Sequence, residues 1–195
     1  PRSARRPFPA SLCVSINDEI VHGIPNERKK IINEGDIVSL DLGIEHKGLI
    51  TDAALTVPVG HVDEESKRLV ETTRASLEAG ISAAKPGNTI GDIGAAISEV
   101  VERAGFNLAE GLVGHGVGYK VHEDPFVPNF GIAGKGEKLV PGLVIAIEPM
   151  VNAGKSSIKI SPDGYTISTR DGSRSAHLEH SIAITEKGNI ILTLR

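Results

Sequence analysis

Over residues 13 to 60 the apolar positions alternate with polar ones or gather in short β-branched runs; from Asp63 to Phe106 they recur every three or four residues, and beyond that the short runs return. This order predicts strands, then two helices, then strands. Residues 37–44 and 49–57 flank a Glu45-His46-Lys47-Gly48 turn and read as an antiparallel hairpin. With the turn centred on His46 and Lys47, Asp41 falls opposite Asp52 on one face. Two ionised carboxylates about 5 Å apart repel by roughly 3 kcal/mol at an effective dielectric near 20. A good cross-strand pair returns only about 0.2 to 1 kcal/mol. Three readings are open: a shared proton, a cation between the two, or a slipped register with one Asp in water.

In the helical region Leu69, Val70, Thr73, Leu77, Ile81 and Ala84 form one stripe, with Asp63 as N-cap and Pro86-Gly87 as the stop. Thr89 and Asp92 have capping-box spacing, and Ile90, Ile93, Ile97, Val100 and Val101 form a second stripe that ends at Gly105. Both stripes read as core that covers a sheet. Farther on, residues 142–148 align without a gap on residues 35–41, each run starting with Gly and ending in an acid, Asp41 or Glu148. A glycine before a β-branched run is common at strand starts, so chance competes with a true repeat. If the repeat is real, the two halves pack about a pseudo-two-fold and those acids converge. Glu179 lies on the small-residue face of a further strand and needs a partner.

Composition narrows the class. At 195 residues and 39% hydrophobic, the chain is long enough for one domain with a sizeable core. A net charge of -4 and pI near 6.0 give no nucleic-acid footprint, and the Arg28-Lys29-Lys30 patch reads as a solvated face. The single Cys13 excludes an internal disulfide, and no apolar run reaches membrane-span length. A cytoplasmic location is expected. The first residues carry neither an initiator Met nor a signal-peptide core, as for a chain that starts mid-gene or after processing.

His115 sits between Gly114 and Gly116, and His122 follows seven residues later. In a regular strand the two would face opposite sides, so they share a site only if the glycines break the alternation. His46, His61, His177 and His180 read as turn or packing residues. Asp41, Asp52, His115, Glu148 and Glu179 together offer four carboxylates and one imidazole, whose formal charge matches two divalent cations. Such a set can activate water and polarise a carbonyl. It suits manganese, iron or cobalt and tolerates zinc.

At these residues the sequence resembles type I methionine aminopeptidase: Val14 through Pro25, the Asp41/Asp52 pair, Gly114 through Gly118, His122-Glu123-Asp124-Pro125, Ile147 through Asn152, and Leu178-Glu179-His180. The resemblance runs from about Phe8 to the C-terminus. It implies an α/β (α+β) pita-bread fold, two pseudo-symmetric halves with a curved antiparallel sheet covered by helices, in a single catalytic domain over residues 1–195. It also implies that Asp52 and Glu179 bridge two metals, that Asp41 completes one, and that His115 and Glu148 complete the other. Glu148 is then the proton acceptor, His122 contacts the substrate beside the scissile amide, and His22 positions it. Cys13, Phe8 and Tyr165 fall where the family lines its methionine pocket. The implied reaction removes an N-terminal methionine, favouring a small second residue. The implied partners are N-terminal peptides of nascent polypeptides, met at the ribosome, with no direct nucleic acid or membrane contact and a monomeric state.

The chain departs from the family by lacking a helical segment ahead of the Cys13 strand and an aromatic at the position of Arg5. An exposed apolar sheet surface and an altered methionine affinity are therefore expected. Competing readings are a proline-directed peptidase of the same fold (aminopeptidase P or prolidase), a non-catalytic pita-bread binding module, and a structural metal site without turnover.

Overall fold

The computed structural model describes residues 6–27 and 29–194; Arg5 and Arg28, on which two expectations fell, lie outside them. In chain order the elements are β1 (Cys13–Ile16), β2 (Glu19–Val21), β3 (Ile37–His46), β4 (Leu49–Pro58), α1 (Glu64–Ala83), α2 (Ile90–Arg103), β5 (Asn107–Leu108), β6 (Val113–Gly116) and β7 (Glu123–Pro128). There follow β8 (Val144–Ile147), β9 (Met150–Asn152), β10 (Ile158–Ile160), β11 (Ile167–Thr169), β12 (Ser175–His177), β13 (Glu179–Thr185) and β14 (Gly188–Ile191). The main sheet is antiparallel, in the order β1-β3-β4-β13-β8-β6-β7, with β14 added to β13. Two small three-stranded sheets, β10-β11-β2 and β12-β9-β5, flank it.

The helices begin and end where the sequence marks them. Asp63 caps α1 by accepting the Ser66 N–H at 2.7 Å. At α2 the Thr89 N–H donates to the Asp92 carboxylate at 2.8 Å. Leu77, Ile81, Ile93 and Ile97 of the two helices pack on Ile145, Ile147, Ile182 and Ile184 of β8 and β13. The helices thus cover the second half of the sheet.

The hairpin register differs from the expected one. Lys47 and Gly48 both have positive φ, 52° and 79°, and His46 pairs with Leu49, so the two-residue turn centres on Lys47-Gly48. A tight hairpin turn of this kind needs left-handed backbone at both central positions, and placing Gly48 there removes most of its cost. Asp41 therefore faces Ala54, and Asp52 faces Gly43. The shift is an even number of residues, so both aspartates keep the same face as diagonal neighbours. Gly43 leaves open space for the Asp52 carboxylate, whose Oδ1 lies 3.8 Å from where a Cβ would be.

The repeat is real in three dimensions. Gly35 (φ 93°) donates to Val59 O while Val59 N–H donates to Asp36 O; Gly142 (φ 95°) donates to Ile184 O while Ile184 N–H donates to Leu143 O. The preceding turns match too, with Asp36 N–H on Asn33 O and Leu143 N–H on Val140 O. Superposing these turns carries Asp41 onto Glu148 and Ala54 onto Glu179, and Ala54 is itself paired with Glu179 across β4 and β13. A pseudo-two-fold axis runs through that pair. Its symmetry is broken outside the sheet: among the described residues no helix packs on the face of β3 and β4 that carries Leu55 and Val57, 49% and 37% exposed.

The double variant Leu55→Thr/Val57→Thr should lower dye binding and self-association of the 195-residue chain while shifting its stability by only about 0.5 kcal/mol per site. Light scattering and thermal melts at several concentrations check this.

Candidate metal centre

All ten residues singled out from the sequence line one cavity of about 570 Å³. Asp41 comes from β3, Asp52 from β4, His115 from β6 and Glu179 from β13, while Glu148 directly follows β8. Asp52, His115 and Glu179 are buried, and each offers a ligand atom within 4.8 Å of the other two. Glu148 Oε1 lies 3.4 Å from His115 Nε2. The backbone around these groups is held firmly. The Ser181 hydroxyl accepts the Asp52 N–H and donates to the Asp52 carbonyl, both at 2.8 Å.

The chemistry of the set fits divalent metal. Glu179 Oε1 is buried with no hydrogen-bond partner among the described residues, a costly state for a carboxylate without a cation. The His115 Nδ1 lies 2.9 Å from the Gly116 carbonyl, which fixes the ring with its Nε2 lone pair turned into the cavity. Burial, then the neighbouring carboxylates, pushes Asp41 up to about 6. Asp52 and Glu179 are displaced upward for the same first reason.

The glycines beside His115 serve the sheet. A Cβ on Gly114 would lie 2.4 Å from Ala146 O, and one on Gly116 would lie 2.2 Å from Asp124 O, so β6 fits between β7 and β8 only without side chains there. The alternation does break: the register shifts between His115 and Gly116, and Gly118 has a φ of 154°. His122 returns to the site with its ring centroid 4.3 Å from that of His115. Burial and the neighbouring imidazole hold His122 below its ordinary range.

The rest of the cavity is an uncharged wall. Phe8 and Tyr165 stack edge to face with centroids 5.2 Å apart, and the Tyr165 hydroxyl donates to the Arg6 carbonyl. Cys13 faces Asp41 across β1 and β3, where burial and the nearby carboxylates push its thiol well up. His22 holds a left-handed φ of 57°, and burial lowers its imidazole to about 4.

One histidine was misread. His46 and His61 are exposed and His180 bonds Thr193, as packing or turn residues do. His177 is instead wholly buried against two of the cavity's carboxylates, its Nε2 3.4 Å from Glu148 Oε2 and 4.0 Å from Glu179 Oε2. The basic patch needs a smaller correction: Lys30 pairs with Glu19 at 2.5 Å and is not simply solvated.

Carboxylates converging from both halves of a duplicated sheet beside an orienting histidine define a metal-dependent hydrolase site. The profile of Metallopeptidase family M24 matches residues 2–186. Methionine aminopeptidase 1 of Bacillus subtilis is 48% identical over 186 residues, covering 95% of this chain and 74% of that protein. The crystal structure of methionine aminopeptidase from Thermotoga maritima superposes with a TM-score of 0.92 at 50% identity, over 94% of this chain and 74% of that one. Prolidase from Pyrococcus furiosus gives 0.75 at 25% identity, with half of its length covered. The chain belongs to metallopeptidase family M24 and, within it, to the methionine aminopeptidases, with their pita-bread fold.

The raised Asp41 sets a signed prediction. A carboxyl raised from 3.8 to about 6 contributes stability below pH 4 that is lost as pH rises through 6. His22, lowered by burial, acts in the opposite direction over the same window. The comparison with Asp41→Asn isolates the aspartate. Without metal, the variant should match the wild type near pH 4 and exceed it by on the order of 3 kcal/mol at pH 7. Added manganese should reverse the ranking. Denaturant unfolding in chelator and in manganese checks both.

Proposed function

We propose that the chain hydrolyses the first peptide bond of polypeptides that begin with methionine, using two divalent ions held by Asp41, Asp52, His115, Glu148 and Glu179. The observation that carries this reading is the junction, in one cavity, of that ligand set with the uncharged Phe8–Tyr165–Cys13 wall. Asp52 and Glu179, diagonal neighbours on adjacent strands of the two halves, are the pair that would hold both ions. Asp41 suits one ion, and His115 with Glu148 the other. Bound divalent ions supply an activated water and polarisation of the scissile carbonyl.

The chain's own residues do the rest. Glu148, at 12% side-chain exposure with its Oε1 3.4 Å from His115 Nε2, takes the proton of the attacking water and passes it to the leaving amine. His122 donates to the oxygen on which charge develops. His22, fixed by its backbone and uncharged at neutral pH, orients the substrate beside the wall that receives the methionine side chain. A preference for a small second residue, lodged beside His22 and His122, is carried over from the methionine aminopeptidases. Manganese, iron or cobalt suits so oxygen-rich a set, zinc being tolerated. N-terminal peptides of nascent chains are the substrates proposed, met in the cytoplasm and at the ribosome by a monomeric enzyme. No described helix is long and apolar enough to cross a membrane.

With manganese, iron or cobalt added, methionine should be released from Met-Ala-Ser and nothing from an Ala-Pro peptide; the reverse result would assign a proline-directed peptidase. Asp52→Asn should lose bound metal and turnover with its circular dichroism intact, whereas unchanged cleavage would sink the assignment. His122→Ala should keep its metal and lose kcat by roughly a hundredfold or more.

A further inference from the structure

The repeat identifies a residue that the ligand set leaves out. Matching Val59 to Ile184 and counting back along β4 and β13 carries Asp52 onto His177 and Thr56 onto Ser181. The backbone bonds obey the same mapping. Ser181 Oγ accepts the Asp52 N–H and donates to the Asp52 carbonyl; Thr56 Oγ1 accepts the His177 N–H at 2.9 Å and donates to the His177 carbonyl at 2.7 Å. Each half thus clamps one residue of the other with a hydroxyl: Asp52, which lines the cavity, and His177, whose Nε2 lies 3.4 Å from the cavity-lining Glu148. His177 is 1% exposed, and neither ring nitrogen has a hydrogen-bond partner among the described residues.

We propose that His177 is a positioning residue that fixes the plane of the Glu148 carboxylate. Glu148 stands between two imidazoles, His115 Nε2 at 3.4 Å from Oε1 and His177 Nε2 at 3.4 Å from Oε2. Its backbone is anchored separately, the Asn129 amide donating to the Glu148 carbonyl at 3.0 Å. His177 is the side chain that stands against the second carboxylate oxygen. An imidazole also suits this place better than the aspartate found at the symmetric one. A fifth carboxylate would leave two dications short of charge, whereas an N–H aimed at Glu148 orients it without adding to the repulsion. The inference rests on Glu148 being a ligand and proton acceptor.

The test compares His177→Leu, which fills the space without an N–H, with His177→Gln, which restores a donor. Calorimetry with manganese should give wild-type stoichiometry in both, an affinity about tenfold weaker in the leucine variant, and recovery in the glutamine variant. On Met-Ala-Ser the leucine variant should lose roughly ten- to a hundredfold in kcat with KM nearly unchanged, and glutamine should regain most of it. Leucine at wild-type kcat and affinity overturns the proposal, and so does loss of one manganese, which would make His177 a ligand. Equal losses in both variants in step with falling melting temperature assign a structural role and also overturn it. Should the leucine variant not fold, His177→Met supplies the filler. A wild-type chain that binds manganese but releases no methionine overturns the functional reading alone, because the affinity series still decides the role of His177.

Discussion

Four carboxylates face one cavity, three from strands and Glu148 from just beyond the end of a fourth, and no described lysine or arginine lines that cavity to neutralise them. Water cannot take over the task, because Glu179 and Asp52 are buried and Glu179 has one oxygen without a partner. Left alone, the set can only bind protons, which is what the upward displacement of Asp41, Asp52 and Glu179 expresses. Divalent cations remove the conflict, and the free energy of binding them becomes stability of the fold. The sheet is built to withstand the repulsion meanwhile: hydroxyl clamps hold the backbone at Asp52 and His177, and Gly43 leaves room for the Asp52 carboxylate.

Duplication supplies the frame, and the chemistry comes from where the copies differ. Equivalent turns at Gly35 and Gly142 start equivalent strands, which deliver Asp41 and Glu148 to matching places. The other matched positions diverge, Ala54 against Glu179 and Asp52 against His177. A symmetric pair of halves would carry the same groups at both places, but here Glu148 stands between the Nε2 atoms of His115 and His177, 3.4 Å from each, and Asp41 faces Cys13 instead.

Much of this was legible in residue spacing. Both helices and their caps, the repeat, and the convergence of Asp41 with Glu148 follow from periodicity and from glycine placement. The hairpin register did not, because turn centring depends on which residue accepts left-handed backbone, and the Lys47-Gly48 choice moves every pair by two without changing any face. Gly114 and Gly116 pointed to close approach, but the approaching groups are carbonyls of neighbouring strands, which only the sheet order discloses. His177 escaped notice because an isolated histidine carries no spacing signal. Its partner clamp, Thr56, lies 121 residues away in sequence.

The uncharged wall completes the logic of the cavity. Cys13 and His22 are ionisable groups within reach of carboxylates, yet burial keeps the thiol protonated and the imidazole deprotonated at neutral pH. Both therefore present neutral, polarisable surface beside Phe8 and Tyr165. A carboxylate entering there would be repelled by the carboxylates within reach of Cys13, whereas a thioether loses little on desolvation and gains contact with sulfur and aromatic edges. The same burial that raises the carboxylates thus strips charge from the adjoining wall. One desolvated cavity joins a carboxylate-lined half, which protons or cations must neutralise, to a half that carries no charge of its own.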